Sequence, residues 1–139
     1  MIVVDTSAIL AIFLCEPEAR GFADVIAGDE APLVSVATLF EASIVLRAKK
    51  EISAEQADDW LDRFVAAAGL RIEPVIADHG HLARAAHRLY GKGSGHPARL
   101  NYGDCFTYAL AKGLDVPVLF KGDDFCHTDL RMAPRFRAG

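Results

Sequence analysis

Acidic residues spread along the chain stand where their carboxylates could meet. Asp5 comes directly after the β-branched run Ile2–Val4, and Asp123 and Asp124 follow the apolar run at residues 116–120. Short apolar runs of this kind predict buried strands. Because ligand sites in parallel sheets lie at the carboxyl ends of the strands, we expect these acids at one edge of the sheet.

Two further acids belong to predicted helices. Glu41 is the only charged residue between positions 36 and 46 of a stretch, residues 36–50, that is apolar nearly all round and predicts a buried helix. An unpaired buried carboxylate costs several kcal/mol, so Glu41 must meet a cation or accept hydrogen bonds. Asp104 stands three residues after Asn101, at the start of another predicted helix. A doubly wound sheet would bring both acids to the edge that carries the others.

Each acid also has a purely structural interpretation. Asp5 could be a helix N-cap, and Asp104 could be the acid of a capping arrangement. Glu41 could pair with Arg47 or Lys49. A turn alone would explain one of the two adjacent acids near the end of the chain. Only the joint placement of these acids therefore indicates a site.

Several carboxylates within a few ångströms repel strongly, and a divalent cation relieves that repulsion. Ligation by oxygen alone suits Mg²⁺, with Mn²⁺ as a substitute. The expected chemistry is hydrolysis of a phosphodiester by a metal-activated water. Thr6 or Ser7 could orient that water or a phosphate oxygen, or could only cap the following helix.

Strands and helices alternate along the chain, which predicts an α/β fold with a mainly parallel central sheet and helices on both faces. We predict strands at residues 2–4, 33–35, 71–75 and 116–120. We predict helices at residues 8–14, 17–27, 36–50, 53–68, 79–90 and 101–113, the fifth of them capped by Asp78. No linker or repeat divides residues 1–139, so we expect one domain, with a flexible tail from about residue 132.

The composition limits the class of protein. A chain of 139 residues has the length of one ordinary domain, and its net charge of −4 argues against an overall basic surface while allowing local basic patches. Its apolar runs are too short to span a membrane, and the N-terminus lacks the features of a signal peptide. Three cysteines without metal-site spacing read as reduced thiols. We expect a cytoplasmic protein that does not contact membranes.

One local basic patch exists. The stretch from Arg84 to Arg99 contains no acid, and Lys121 lies close to the last acids. Arg88, Lys92 and Arg99, with Lys121, could supply the electrostatic attraction that RNA binding requires. The alternative is a solvated helix face followed by a mobile loop.

Four aromatic residues near this stretch could stack on bases, namely Tyr90, Tyr102, Phe106 and Tyr108. Three of them lie at helical spacing, which is more typical of a protein core. The sequence leaves both interpretations open.

The segments that carry the acids resemble a known family. Residues 1–8 (MIVVDTSA), the Glu41 helix, residues 100–106 (LNYGDCF) and residues 117–125 (PVLFKGDDF) are similar to PIN-domain ribonucleases of the VapC toxin type. The resemblance implies a three-layer PIN-like fold and a Mg²⁺-dependent endoribonuclease. It also implies the toxin of a toxin–antitoxin pair, a VapB-like antitoxin as partner and a homodimer.

The same resemblance assigns the site residues. The acids of the family fall on Asp5, Glu41 and Asp104, and the fourth falls on Asp124, with Asp123 as the alternative. All four would be metal ligands and catalytic residues. The sequence does not identify the RNA.

Two other functions remain as alternatives. A phosphatase with Asp5 as covalent nucleophile would need a second acid two residues later, where Ser7 stands. The second alternative is a metal-binding partner or regulatory domain without catalysis; a domain that only bound its partner would give the acids no evident purpose.

Overall fold

A computed structural model describes residues 1–134 and contains a four-stranded parallel sheet. The strands are β1 (Ile2–Val4), β2 (Pro32–Ser35), β3 (Arg71–Glu73) and β4 (Val118–Leu119). Their order across the sheet is β3-β2-β1-β4, and every neighbouring pair is parallel.

Six α-helices connect or flank these strands. They are α1 (Thr6–Phe13), α2 (Ala19–Gly28), α3 (Val36–Lys50), α4 (Ala54–Ala68), α5 (Ala77–Tyr90) and α6 (Tyr102–Leu114). A short 3₁₀ helix, Asp124–His127, follows β4. The helices of residues 1–134 are all too short or too polar to cross a membrane.

The alternation of side chains along β1 builds the core in two halves. Ile2 and Val4 belong to one buried cluster, which includes residues of α1, α2, α3 and α4. Val3 belongs to a second buried cluster, which includes residues of α5 and α6. Successive strand residues point to opposite faces of a sheet, so β1 separates two helical layers. This three-layer α/β architecture confirms the predicted fold class.

The strand order explains why the acids meet. β1 lies between β2 and β4. After β1 the chain forms β2 and β3 on one side of it, and it later forms β4 on the other side. The backbone N–H of Asp5 donates to the carbonyl of Leu119, at 3.0 Å, which ties the end of β1 to the end of β4. Crevices form at the carboxyl edge where strand order reverses.

The prediction that α3 is buried nearly all round is wrong. Val36, Phe40 and Ile44 are 47%, 68% and 42% exposed and lie at successive intervals of four residues. Helix α3 packs on α1, α4 and α6, and the stripe on its remaining side stays uncovered by residues 1–134. The hydrophobic pattern could not reveal this exposed face. A helix that is apolar all round can be buried within its own chain, or it can have one face that another molecule covers.

Several boundaries also differ from prediction: the strands predicted at residues 71–75 and 116–120 are shorter, and the ends of α1, α2 and α6 shift by one or two residues. Asp78 does not cap α5, because this helix begins at Ala77 and its N-cap residue, Ile76, has no side-chain capping bond. Near the end of the chain, Met132 pairs with Val118, and the N–H of the buried Ala133 donates to the carbonyl of Val118 at 2.8 Å. The predicted flexible tail starts at these ordered residues, and its last part, residues 135–139, lies outside the described residues.

Candidate active site

Asp5 is a helix cap and a buried acid at once. It is 3% exposed and stands as the N-cap of α1, where one carboxylate oxygen accepts from the Ser7 N–H at 3.1 Å and from the Ser7 hydroxyl at 2.8 Å. The other oxygen accepts from the Thr107 hydroxyl at 2.7 Å. Neutral donors therefore hold this carboxylate at the end of β1.

Glu41 is held by a hydroxyl and forms no ion pair with Arg47 or Lys49. Its Oε1 accepts from the Thr6 hydroxyl at 2.6 Å, which joins α3 to the first turn of α1. Burial raises the pKa of Glu41, the bond from Thr6 opposes that rise, and the charge of Asp5 adds to it.

Asp104 closes a capping box at the start of α6. Its side chain accepts from the Asn101 N–H at 3.0 Å, and the Asn101 side chain accepts from the Asp104 N–H at 2.9 Å. Burial is the largest cause that raises the pKa of Asp104 to about 7, and the charges of Asp5, Asp124 and Glu41 contribute to this rise against the opposing bond from the Asn101 N–H. The capping interpretation is therefore correct, and the acid still lies within electrostatic reach of the other three.

Gly103 allows α6 to approach Glu41 closely. A Cβ atom at this position would lie 1.7 Å from Oε2 of Glu41 and 2.4 Å from its Cδ. The missing side chain leaves the space that the carboxylate occupies beside Asp104.

The last acids lie in the turn after β4, beyond Gly122 with its φ of +99°. Asp123 and Asp124 are exposed, and Asp124 begins the 3₁₀ helix. The N–H of Lys121 donates to the Ser7 hydroxyl at 2.9 Å, which fixes the start of this turn beside α1. Of the two acids, Asp124 is the one whose charge raises the pKa of Asp104.

Thr107 is a site residue that sequence reasoning missed. Its side chain is fully buried, donates to Asp5 and lies 3.3 Å from the Thr38 hydroxyl. Thr107 follows Asp104 by three residues, so both project from nearly the same side of α6. That spacing was the available signal, although threonine at such a position is common in helices that bind nothing.

The four carboxylates approach one another without forming a ready coordination shell. Within residues 1–134 no three of the His, Cys, Asp and Glu side chains stand at the spacing that would hold a metal ion. Glu41 and Asp104 instead use oxygens to accept from Thr6 and Asn101. The donor chemistry fits a hard dication, since each acid offers only oxygen ligands, and binding would require side-chain rotation.

The basic residues proposed from the sequence differ in their surroundings. Arg88, Lys92 and Arg99 are exposed. Lys121 forms ion pairs with Glu16 and, at 3.3 Å, with Glu18. Its charge is therefore largely compensated before any ligand arrives.

The amino-acid sequence is similar to those of known proteins. The PIN domain family model matches residues 2–130. Ribonuclease VapC30 of Mycobacterium tuberculosis is 45% identical over 129 residues, which cover 92% of this chain and 95% of that protein.

Two solved structures share the fold. The M. tuberculosis toxin VapC20, described as cleaving the sarcin-ricin loop, matches with a TM-score of 0.75 and 18% identity over 97% of this chain and 99% of that one. VapBC2 from Rickettsia felis, bound to a DNA fragment from its promoter, matches with a TM-score of 0.67 and 17% identity over 95% of this chain and 97% of that one. At this identity the likeness concerns the fold alone.

The raised pKa of Asp104 predicts a pH-dependent stability. Between the ordinary pKa of 3.8 and about 7 the folded protein binds more protons at Asp104 than the unfolded chain does, so the free energy of unfolding falls as pH rises through this range. Each pKa unit corresponds to about 1.4 kcal/mol, so the fall amounts to a few kcal/mol. Urea unfolding in EDTA at pH 5 and pH 8 measures it.

Asp104→Asn should flatten this pH dependence and leave the protein more stable than wild type at pH 8. Asn carries no charge that the neighbouring acids repel, and its side-chain oxygen can still accept from the Asn101 N–H. Asp24→Asn, on the exposed part of α2, is the matched control and should keep the wild-type dependence. An equal fall in stability for wild type and Asp104→Asn would contradict the electrostatic assignment.

Proposed function

Because the chain belongs to the PIN domain family and to its VapC ribonucleases, we propose that it is a Mg²⁺-dependent endoribonuclease that acts as the toxin of a toxin–antitoxin pair. One observation carries the proposal. Three acids from separate segments lie close together, because Thr6, which follows Asp5, donates to Glu41 at 2.6 Å, and Gly103, which precedes Asp104, lies directly against the Glu41 carboxylate. The charges of Asp5, Asp124 and Glu41 accordingly raise the pKa of Asp104. Crowded carboxylates of this kind are most simply explained by a divalent cation that neutralises them.

The proposed metal ligands and catalytic residues are Asp5, Glu41, Asp104 and Asp124, with Asp123 as the alternative to the last. When bound, Mg²⁺ or Mn²⁺ would supply Lewis-acid activation of the attacking water and neutralise charge on the phosphate. Asp124 is exposed and Asp5 is buried, so substrate would approach from the side of Asp124.

Thr6 and Ser7 are proposed to position the acids. The Thr6 hydroxyl donates to Glu41, and the Ser7 hydroxyl donates to Asp5 while it accepts from Lys121. Both hydroxyls are therefore engaged with the chain itself. A direct role in orienting phosphate, as expected from the sequence, would require them to exchange these bonds.

The antitoxin partner is proposed from the structural relatives. One solved neighbour is described as a toxin–antitoxin complex from Klebsiella pneumoniae and another as VapBC2. By this analogy a VapB-like antitoxin would bind the chain and hold the nuclease inactive in the cytoplasm.

A homodimer is proposed on the exposed stripe of α3. Val36, Phe40 and Ile44 lie in a row, and beside them a groove of about 450 Å³ opens between α3 and α4. An apolar row on one helix is self-complementary when two copies meet across a twofold axis. Burial of large side chains such as Phe40 stabilises such a contact.

The phosphatase alternative is less well supported. A covalent nucleophile must reach the phosphorus atom, but Asp5 is 3% exposed and accepts three hydrogen bonds. A non-catalytic metal-binding domain stays the main alternative, and an activity assay distinguishes it.

The purified protein, free of antitoxin, should cleave RNA in the presence of Mg²⁺ or Mn²⁺. EDTA should abolish cleavage, and Asp104→Asn should reduce it at least a hundredfold while the protein remains folded by circular dichroism. Gel analysis of a labelled RNA measures both effects. Cleavage that survives EDTA would remove the metal mechanism, and binding of Mn²⁺ without any cleavage would favour the non-catalytic alternative.

Gly103→Ala should impair cleavage without unfolding the protein. The three atoms nearest to the added Cβ would all belong to the flexible end of Glu41, so this carboxylate should swing away at little cost in stability. Gly113→Ala, at the other end of the same helix, is the matched control, because its Cβ would make an ordinary contact of 3.4 Å with Leu82. We expect at least a tenfold loss of cleavage for Gly103→Ala alone. Equal rates for the two variants would remove Glu41 from the site.

Phe40→Glu should convert the dimer to a monomer, because it places a charge at the centre of the apolar row. Leu89→Glu, an equally drastic change at an exposed leucine of α5, should leave the dimer intact. Size-exclusion chromatography with light scattering gives the mass of each. A dimer that survives Phe40→Glu would show that the copies pair through another surface.

A further inference from the structure

A groove between α5 and α6 combines cations with aromatic rings. Its volume is about 430 Å³, and its lining includes Arg84, His87 and Arg88 from α5 and Tyr102 and Phe106 from α6. None of these residues belongs to the acidic cluster described above. Guanidinium groups beside exposed aromatic rings are the chemistry that binds unpaired nucleotides.

Tyr102 offers an open ring face. It is 79% exposed, and its ring meets that of Phe106 edge-on, with centroids 5.0 Å apart and planes at 81°. Phe106 therefore supports one side of the tyrosine, and no aromatic ring among residues 1–134 is stacked parallel to that of Tyr102. Tyr90 and Tyr108, in contrast, contact each other and are partly or fully buried, as expected of core residues.

The cations of the groove are available for a ligand. Arg84 and Arg88 are exposed on neighbouring turns of α5, and no carboxylate within residues 1–134 forms an ion pair with either. Lys121 differs in this respect, because Glu16 and Glu18 already pair with it. Electrostatic attraction for a phosphate is therefore stronger at the groove than at Lys121.

The first turn of α6 lies between the groove and the acidic site. Tyr102 and Asp104 both lie in the first turn of α6, two residues apart, which places their side chains on different sides of the helix. Asp104 lies within electrostatic reach of Asp5 and Asp124, whereas Tyr102 lines the groove on the side of α5. A chain that crosses the start of α6 would contact both.

We propose that this groove binds an unpaired nucleotide next to the cleaved phosphodiester, with its base stacked on Tyr102 and its phosphate against Arg84 and Arg88. The proposal rests on the proposed ribonuclease function and adds to it the residues that would hold the RNA beside the cleaved bond. The stacking platform accepts any base, so it contributes to affinity and strand type more than to sequence choice.

Binding of a fluorescein-labelled single-stranded RNA of mixed sequence tests the proposal. Fluorescence anisotropy is measured in EDTA with Asp104→Asn as the background, so that RNA binding is followed without cleavage. Adding Tyr102→Ala should weaken binding about tenfold, whereas Tyr102→Phe, which keeps the ring, should bind as well as the background. Equal binding by Tyr102→Ala, or loss of binding in Tyr102→Phe, would overturn the stacking role.

The salt dependence of binding tests the arginines. Replacing both Arg84 and Arg88 with Gln should lower the slope of log K against log salt by about 0.7 for each phosphate that the variant no longer neutralises. Arg20→Gln, at an exposed arginine of α2, is the control and should leave the slope unchanged. An unchanged slope in the double variant, or equal binding of a duplex RNA, would overturn the proposal. Metal-dependent cleavage by the wild-type protein is measured separately, so failure of the groove and failure of the nuclease function are distinguishable.

Discussion

The mutual repulsion of carboxylates at one edge of the sheet governs this structure. Three hydroxyl groups, from Thr6, Ser7 and Thr107, donate to Asp5 or Glu41, and no Lys or Arg in the described part of the chain pairs with either acid. Neutral donors orient a carboxylate without cancelling its charge. The edge therefore keeps the negative potential that a bound cation requires, which an ion pair would have removed.

Helix starts provide the rigidity of the same edge. Asp5 caps α1 and Asp104 closes the capping box of α6, so each acid is fixed by backbone N–H groups of its own helix. Ser35 caps α3 and thereby sets where the turn that carries Glu41 begins. Structural and chemical interpretations of these acids are thus compatible, because the bonds that cap a helix also aim its first side chains.

Local patterns predicted much of the fold and indicated the acids of the candidate site. The strand before Asp5, the span of α3 and the helix predicted at residues 53–68 depend on neighbouring residues, and the structure agrees with these predictions. In the structure Ser53 and Gln56 form a capping box at the start of α4. The bond from Thr107 to Asp5 joins residues 102 positions apart, so no local pattern contains it.

The sequence did not predict the exposed face of α3 or the ion pairs of Lys121, and the reason is the same for both. Hydrophobic periodicity reports that a face is apolar, but which element covers it depends on packing between distant parts of the chain. Likewise, Lys121 meets Glu16 because β4 pairs with β1, which brings the turn after β4 beside the segment that contains α1.

The pairing of Met132 with Val118 limits how the sheet can grow. It places a strand-like segment along the outer side of β4, whereas β3 at the opposite border has no such cover among the described residues. A foreign β-strand could therefore pair directly with β3, whereas the outer side of β4 is already occupied at Val118. That border is three residues long, too short to template an extended polymer, and the fold is in this way protected against edge-to-edge aggregation.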